Sequence, residues 1–511
     1  MSDLSAKHPQ YVEVSPDWTL MRDAYKGERK VKSKGAVYLP PTNAMIKEGF
    51  EKSIESDGQK EYQAYKLRAR FPNFVREAVQ MAVGMMHSQP PIIKLPKEME
   101  KIRGFRGETL PQILRRINTE QLLTGRVGIM ADLPTNPAPG EDIPCISIYE
   151  AESITNWDDG ETEEVVPQRL NLVVLDESEN RRVNEFQWEK IEKYRVLVLG
   201  KVGENETGQG LTYRQGVFEK NDFVESKLMV PQKMGTTLDE IPFVIVNSCD
   251  ATVEVDDPPL LDLGNICMAI YRGEADYRQN LFMQGQDTFI TIGGNFDEED
   301  KVRVGSGARI DLPLGGDAKY AGVNSQGLSE QRQALERLES RAGSMGAQTL
   351  DTTSRERESG DSLRIRVAAR TADMNQIVET GAFALENLLK ICAKWMGENP
   401  DEVKVIPNKE FGEQALDGQT MVEMATARNL GFPLSAKSMH EVARKRRMTA
   451  LTFEEEVAEA KKEEAEGFAF KKAESGDRAE DQPNDDPNNP RSGKKSSNVP
   501  GKKTGADNPT K

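Results

Sequence analysis

The segment from Pro258 to Met345 constrains the fold most, because two apolar helical stripes flank a β-rich stretch there. In the first arm the apolar residues are Leu263, Ile266, Ile270, Tyr277 and Leu281. In the second arm they are Leu328, Leu335, Leu338, Ala342 and Met345. Steps of three, four and seven residues predict helices, and the stretches Thr288–Gly294 and Ala308–Leu312 between them predict short β segments. We therefore expect a long helical hairpin tipped by β structure, which suggests part of an assembly before it suggests an enzyme.

The composition indicates a polar, globular chain with an acidic surface. Of its 511 residues, 37% are hydrophobic and 30% are charged, and the net charge is −16. A chain of this length has room for about two to four domains. An acidic surface does not bind the phosphate backbone by counterion release, which disfavours ordinary DNA-binding modules.

The cysteines and the N-terminal sequence favour a protein made and kept in a cytoplasm. Cys145, Cys249, Cys267 and Cys392 lie far apart and form no CxxC pair, which favours buried, reduced thiols. The first residues contain no apolar signal region. No run approaches the roughly twenty apolar residues of a membrane span, so we expect no membrane association.

Helical and β-rich blocks follow one another along the rest of the chain. Apolar stripes predict helices at 71–86, 110–123 and 363–397, and residues 124–134 predict a turn followed by a short strand. Further strands are predicted at Ile143–Tyr149, Gln168–Leu175, Tyr194–Leu199 and Phe243–Val246. A β-rich block between helical blocks indicates an α+β fold rather than a parallel α/β sheet.

The C-terminal part combines short helices with a polar tail. Ser435 is a good N-cap for a helix, and Phe453–Glu466 predicts a charged helix whose acidic residues come first. From about Ala473 the chain lacks the apolar residues needed to offset chain entropy, and we expect residues 473–511 to be disordered.

Strong catalytic motifs are absent from the sequence. Gly305-Ser-Gly307 lacks the third glycine of a dinucleotide loop, and His440-Glu441 is not followed by the second histidine of a zinc helix. The remaining histidines, His8 and His87, are better explained as surface or structural residues. We therefore expect no catalytic residue, no cofactor and no metal, and a protein that is not an enzyme.

Two polar segments leave alternatives open. The acidic run Asp297, Glu298, Glu299 and Asp300 is either a solvated loop, which is favoured, or a divalent-ion site. The stretch Thr349–Asp361 is either a flexible connection or a functional loop at the junction of two long helices. In the second case its residues Thr352, Thr353, Ser354, Arg355 and Arg357 would contact phosphates. Arg364, Arg366 and Arg370 behind it form either a solvated helix face or intersubunit ion pairs.

Over residues 40–465 the order of several stretches resembles the portal proteins of tailed bacteriophages. The early helix leading into the body resembles AYKLRARFPNFVREAVQMAVGMMHSQPP, and a strand entry resembles TGRVGIMADLP. The approach to the first stem helix of a portal resembles IPFVIVN. That stem helix resembles PPLLDLGNICMAIYRGEADYRQNLFMQ, and the clip that follows it resembles DTFITIGG. The long helix after a tunnel loop resembles SLRIRVAARTADMNQIVETGAFALENLLKICAKWMG, and the crown hairpin resembles GFPLSAKSMHEVARKRRM.

This resemblance implies a portal-like fold with long stem helices, a β-rich wing and clip, a helical crown and a disordered C-terminal tail. Its domains would be a wing (1–258), a stem helix (259–284), a clip (285–325), a second stem helix (326–345), a tunnel loop with a long wing helix (346–410), a crown (411–472) and a tail (473–511). The tunnel loop would bring Thr352–Arg357 near DNA. The clip would bring Asp297–Asp300 to a docking surface.

The resemblance also implies a function. Twelve copies would form a ring at one capsid vertex, with a channel for packaging, retaining and ejecting double-stranded DNA without sequence specificity. The expected partners are further copies of the chain, the major capsid protein, terminase, and head–tail adaptor or tail proteins. The chain would be assembled in the host cytoplasm and reside in the virion. Another structural virion protein, such as an adaptor or minor capsid protein, is the first alternative. A metal-assisted enzyme using Asp297 and Asp300 is the second.

Overall fold

The computed structural model describes residues 3–134, 142–158, 170–200, 211–219, 223–233, 235–284, 288–292, 315, 317–321, 326–346, 360–409, 411, 425–428, 430–433, 435–445, 449 and 451–465. The chain divides into two compact units, Met1–Gly412 and Glu413–Lys511. Helices and strands occur in separate blocks rather than as regular βαβ units. This arrangement agrees with the predicted α+β class.

Capping residues fix the ends of the helices in the first unit. These helices are α1 (Pro9–Lys26), α2 (Glu28–Ser33), α3 (Asn43–Lys47), α4 (Asp57–Arg68), α5 (Phe74–Met86), α6 (Leu110–Thr124), α7 (Leu261–Gln284), α8 (Gln326–Gly346) and α9 (Gly360–Met396). Before α4, Ser56 Oγ accepts a hydrogen bond from the Gln59 amide at 3.2 Å. Before α5, Asn73 Oδ1 accepts one from the Arg76 amide at 3.2 Å. α6 ends at Gly125, whose φ of 72° favours glycine.

Two four-stranded sheets form the β part of this unit. The strands are β1 (Ile92–Lys94), β2 (Arg103–Gly104), β3 (Arg126–Asp132), β4 (Cys145–Glu150), β5 (Ile154–Asp158), β6 (Leu172–Asp176), β7 (Glu179–Arg182), β8 (Trp188–Ile191), β9 (Lys193–Gly200), β10 (Thr212–Glu219), β11 (Phe243–Asn247), β12 (Thr288–Ile292), β13 (Asp317–Ala321) and β14 (Lys404–Ile406). The first sheet has the order β11-β3-β4-β2 and the second the order β10-β9-β6-β5. β1–β14, β7–β8 and β12–β13 form separate antiparallel pairs.

Three large clusters of buried side chains organise the core. One joins α1, α4 and α5 to α7 and includes Met21, Tyr65 and Tyr271. A second packs α6 and α9 on the first sheet. A third, which includes Trp157 and Trp395, connects residues of both sheets with α1 and α9. The body is thus continuous from the sheets to the base of α7.

The second unit contains α10 (Ala436–Lys445) and α11 (Phe453–Ala465). Ser435 Oγ accepts a hydrogen bond from the Ser438 amide at 3.0 Å, which confirms the predicted N-cap. The rings of His440 and Phe453 meet edge to face with centroids 5.5 Å apart, which ties the two helices together. The predicted disordered tail, 473–511, lies outside the described residues.

Two elements of the first unit have no clear pattern in the sequence. The first sixty residues, which carry no clear periodicity, include the 18-residue helix α1, whose Trp18 and Met21 are fully buried. β10 pairs along its whole length with β9 although its sequence, TYRQGVFE, alternates weakly. In both cases tertiary packing outweighs the local pattern. A few apolar side chains are enough to stabilise a helix or strand when they are completely buried.

Candidate assembly surface

The base of α7 is embedded in the body of the protein. Leu263, Cys267 and Tyr271 are buried in the cluster shared with α1 and α5. A β-carbon placed on Gly264 would lie 2.7 Å from Met21 Sδ, so α7 and α1 approach more closely there than a larger residue allows. The hairpin is therefore rooted in the core rather than attached by a flexible connection.

Polar contacts from α4 continue this anchoring along α7. Tyr65 Oη donates a hydrogen bond to Asp276 Oδ1 at 2.5 Å, and Arg68 donates to Gln279 Oε1. The Arg68 guanidinium also lies over the Phe282 ring, 4.3 Å from its centroid. Burial, followed by the hydrogen bond to Asp276, raises the pKa of Tyr65, so its hydroxyl stays protonated as a donor. α4 thus supports α7 over two helical turns.

α8 returns antiparallel to α7 with a close helix–helix contact. A β-carbon placed on Gly273 would lie 2.8 Å from Leu335 Cδ2, and Asn280 Nδ2 donates to Gln331 Oε1 at 3.2 Å. Beyond the helices, β12 and β13 pair from Thr288–Ala321 to Ile292–Asp317. The predicted hairpin with β structure at its tip is present, although the predicted β segment Ala308–Leu312 lies outside the described residues.

The end of α7 nearest the tip presents an apolar strip. Leu281, Phe282 and Met283 are 48%, 51% and 60% exposed. On α8, by contrast, Arg332 Nε pairs with Glu336 Oε1 at 2.9 Å on an exposed surface. Consecutive helical residues point about 100° apart, so these side chains surround the end of α7 and offer apolar contacts to another protein on more than one side. We call Leu281–Met283 the distal strip.

The segment between β11 and α7 is tied to α9 and to the first sheet. Gln376 Nε2 and Thr380 Oγ1 of α9 donate to the Cys249 carbonyl at 3.1 and 3.4 Å. From β3, Arg126 Nη1 donates to the Val253 carbonyl at 2.8 Å. The segment that leads into α7 is thus held in place by α9.

Arg126 is completely buried within this junction. Its guanidinium lies 4.3 Å from the centroid of the Trp157 ring and also donates to the Glu254 carbonyl at 3.0 Å. Burial lowers the pKa of Arg126 to about 9, with nearby Asp256 acting in the opposite direction. The Arg126 side chain thus holds the segment before α7 against the first sheet through its hydrogen bonds.

The site residues predicted from the sequence lie outside the described parts of the chain. This applies to Thr352, Thr353, Ser354, Arg355 and Arg357 of the predicted tunnel loop, and to Asp297, Glu298, Glu299 and Asp300 of the predicted clip. The last two residues of the stretch Thr349–Asp361 belong to α9. The predictions for these side chains therefore stay predictions.

Reactive chemistry in the described part of the chain would depend on its cysteines or on clusters of metal-ligating side chains. Among the described residues, no group of three or more His, Cys, Asp or Glu could hold a metal ion. Burial raises the pKa of the Cys267 thiol to about 11 and that of Cys392 to about 12, which suppresses their thiolates. All four thiols are unpaired, but Cys249 is exposed and Cys145 is half-buried, so the prediction of buried cysteines is wrong for Cys249.

None of the helices in the described part of the chain is long and apolar enough to cross a membrane.

The contacts of Tyr65 and Arg68 with α7 are not predicted by the sequence. Their signal is weak, because a tyrosine and an arginine on a polar helix are ordinary surface residues until a partner helix is placed beside them.

Comparisons with known proteins find one family model that overlaps the hairpin. A family model described as a domain of unknown function, DUF4055, matches residues 259–396, from the start of α7 to the end of α9. No curated protein matches the chain. A solved structure described as the virion of a native gene transfer agent particle is 10% identical, with a TM-score of 0.35, and the match covers 73% of this chain and 88% of that chain. A second, the neck of an empty gene transfer agent particle, is 9% identical with a TM-score of 0.33, covering 78% and 92%.

Proposed function

We propose that this chain is the subunit of a portal ring at one vertex of a phage-like capsid. The observation that carries the proposal is the hairpin of α7 and α8, which is antiparallel, rooted in the core and tipped by β12 and β13. The long helix α9 follows it, as the resemblance of the sequence to portal proteins implies. The role is structural and requires no catalytic group.

The anchoring of α7 suits a rigid element of a ring. Its base packs in the core against α1 and α5, and Tyr65 and Arg68 hold its middle. The three side chains of the distal strip stay about half exposed in the single chain, although the Arg68 guanidinium lies over the Phe282 ring. Because a ring subunit needs apolar area that is buried only on assembly, we assign the distal strip to contacts with neighbouring copies.

The proposed ring has a channel that duplex DNA passes through without sequence recognition. The chain's net charge of −16 suits such a channel, since an acidic wall repels phosphates rather than holding them. The partners in this proposal are the major capsid protein, terminase, and adaptor or tail proteins. Residues 352–357 are the proposed DNA-proximal loop, and Asp297–Asp300 belong to the proposed docking tip.

Electron microscopy of the purified full-length chain tests the proposal. We expect closed rings of about twelve subunits with a central hole. The double variant Leu281→Glu/Met283→Glu places two carboxylates on the distal strip and should shift the chain towards monomers. Leu67→Glu is the matched control, because Leu67 is 77% exposed on α4 and lies outside the strip; this variant should form rings as the wild type does.

A wild-type chain that stays monomeric under assembly conditions and fails to enter proheads would contradict the portal proposal. An adaptor or another virion protein is the second candidate, because an exposed apolar strip also fits docking onto a preformed ring. That role predicts binding of the chain to purified portal rings, without ring formation by the chain alone.

A further inference from the structure

The junction of α1 and α2 carries a dense run of basic side chains. Five of the nine residues at positions 26–34 are lysine or arginine, and only Glu28 is acidic. The chain as a whole has a net charge of −16. This junction is therefore opposite in sign to the charge balance of the chain.

Tertiary contacts hold the junction in a defined conformation. Gly27 joins α1 to α2 with a φ of 86°, and a β-carbon there would lie 2.6 Å from Asn73 Nδ2. Arg76 of α5 donates from Nε to the Tyr25 carbonyl and from Nη2 to the Lys26 carbonyl, both at 2.9 Å. The backbone that carries the basic side chains is thus fixed against the start of α5.

The end of α4 brings a further cation beside α2. Lys32 Nζ donates to the Leu67 carbonyl at 3.1 Å, and the Phe71 amide donates to Glu28 Oε2 at 3.5 Å. Arg70 lies between these two contacts in the sequence and is exposed. It therefore extends the positive surface beyond α2.

Carboxylates neutralise only part of this positive charge. Lys32 pairs with Glu28 at 2.6 Å, and Lys34 pairs with the buried Asp23 at 3.4 Å. Four further cations, none of them buried, form no ion pair with any described residue. We call these four the basic corner: Lys26, Arg29, Lys30 and Arg70.

We propose that the basic corner binds the phosphate backbone of duplex DNA without reading its sequence. The choice of DNA as the partner rests on the proposed function, in which duplex DNA passes each subunit. Lysine and arginine side chains that contact phosphates release the counterions condensed on DNA, and this release favours binding. Interactions between exposed charges extend over about 10 Å at 0.1 M ionic strength. A phosphate at this site therefore responds to the four nearby cations more than to the net charge of the chain.

The chemistry of the basic corner suits phosphates better than a protein surface. Two of its four residues are lysines, a residue type that is depleted at protein–protein interfaces. A lysine ammonium acts on phosphate as a point charge and needs no fixed geometry, which fits a duplex that is bound at any sequence. A second copy of the chain, which is itself acidic, is the competing partner, and contact with it is one outcome of the test.

Fluorescence anisotropy of the full-length chain with a short labelled DNA duplex tests the proposal. Arg29→Gln/Lys30→Gln removes two charges of the basic corner and should weaken binding at least about tenfold in low salt. The slope of log affinity against log salt concentration should decrease by about 1 for each lost phosphate contact. Two duplexes of unrelated sequence should lose affinity equally, because phosphate contacts carry no sequence information.

Lys97→Gln/Lys101→Gln is the matched control, because it removes the same charge from two exposed lysines elsewhere in the first unit. This variant should bind the duplex as the wild type does. Circular dichroism should show unchanged unfolding temperatures for both double variants, because none of the four altered side chains is buried. Equal losses of DNA affinity in the two variants would show that net charge alone governs binding, which would overturn the proposal.

Electron microscopy of the same variants separates this contact from the proposed ring. A wild-type chain that forms rings but binds no duplex would overturn the DNA contact and leave the ring in place. Loss of rings in Arg29→Gln/Lys30→Gln, with unchanged DNA affinity, would assign the basic corner to a neighbouring copy and would also overturn the DNA contact. A chain that binds DNA through the basic corner but forms no rings would count against the proposed function alone.

Discussion

Gly273 of α7 lies directly against Leu335 of α8, where a β-carbon on the glycine would come within 2.8 Å of Leu335 Cδ2. Leu335 is among the few buried side chains on the described part of α8, with an exposed fraction of 6%. The separation of the two hairpin helices is therefore set by the absence of a side chain at one position and the presence of a leucine at the other.

Enlarging Gly273 should separate the helices. We expect Gly273→Leu to lower the free energy of unfolding by about 1–3 kcal/mol, the usual cost of overpacking, and Leu335→Ala in the same chain to recover part of this loss. Gly343→Leu is the matched control, because nothing lies within 4 Å of a β-carbon there; it should gain about 0.5–1 kcal/mol from helix propensity. Urea unfolding of the wild type, of Gly273→Leu, of Leu335→Ala and of the double variant measures the coupling between the two positions, and additive effects would contradict the contact.

A buried ionic network should contribute strongly to stability. Arg22 Nε donates to Glu152 Oε1 at 2.7 Å, and Arg22 Nη2 donates to Glu120 Oε2 at 2.5 Å. Burial raises the pKa of Glu120, with Arg22 opposing this effect. Arg22→Ala leaves the buried Glu120 carboxylate without its cation and should cost about 3–5 kcal/mol in denaturant unfolding.

The exposed pair of Arg181 and Glu219, at 3.0 Å, provides the control for this network. Solvent screens that pair, so Arg181→Ala should change the free energy of unfolding by no more than about 0.5 kcal/mol. Equal losses of unfolding free energy in the Arg22 and Arg181 variants would show that burial of the network adds nothing to stability.

His87 should make the fold sensitive to mild acid. Its Nε2 lies 2.9 Å from Asn118 Oδ1, and burial lowers the pKa of His87 below its ordinary value of 6.5, although the hydrogen bond to Asn118 opposes the change. Below pH 6.5 the unfolded chain therefore binds the proton more readily than the folded chain does. Stability should fall as the pH decreases from about 6.5 towards the folded pKa, by at most about 1.4 kcal/mol per pH unit from this group.

His87→Gln keeps a donor for Asn118 but cannot titrate. Thermal unfolding between pH 7.5 and 5 should show a smaller loss of stability in this variant than in the wild type. Identical pH profiles would exclude His87 as a contributor.

The crossing of α9 over α6 should tolerate no side chain at Gly381. A β-carbon there would lie 2.6 Å from Asn118 Nδ2 and 2.8 Å from Gln121 Oε1, both fully buried residues. Gly381→Ala should therefore lower the free energy of unfolding by about 1–3 kcal/mol. Gly84→Ala in α5, where the space is open, should instead raise it by about 0.5–1 kcal/mol, and calorimetry of both variants distinguishes the two effects.

The hairpin arms could be predicted because their apolar residues recur at helical spacing over about five turns. The first arm was expected from Pro258 and begins at Leu261, and the second was expected over 328–345 and spans Gln326–Gly346. α1 could not be predicted in the same way, since Pro16 lies inside a largely polar sequence. Its position depends on burial of Trp18 and Met21 by residues distant in the sequence.

The candidate surfaces were less predictable than the fold. Leu281 belongs to the apolar stripe of α7 and has the pattern of a core residue, yet it is about half exposed. A periodic pattern tells which face of a helix is apolar, but it does not tell whether the same chain covers that face. The basic residues at positions 26–34 likewise do not reveal which of them are paired, because their partners Glu28 and Asp23 are fixed only once the helices have packed.

The antiparallel course of α7 and α8 has an evolutionary consequence. β12 and β13 pair with each other, so the chain leaves the body and returns to it through one narrow neck. Because this pairing fixes the chain at Ile292 and Asp317, we expect insertions or deletions between these two residues to leave the ends of the helices and their spacing unchanged, at a closure cost of only about 0.6 kcal/mol per doubling of length. The tip can therefore be exchanged as a module between related chains while the body that carries it is retained.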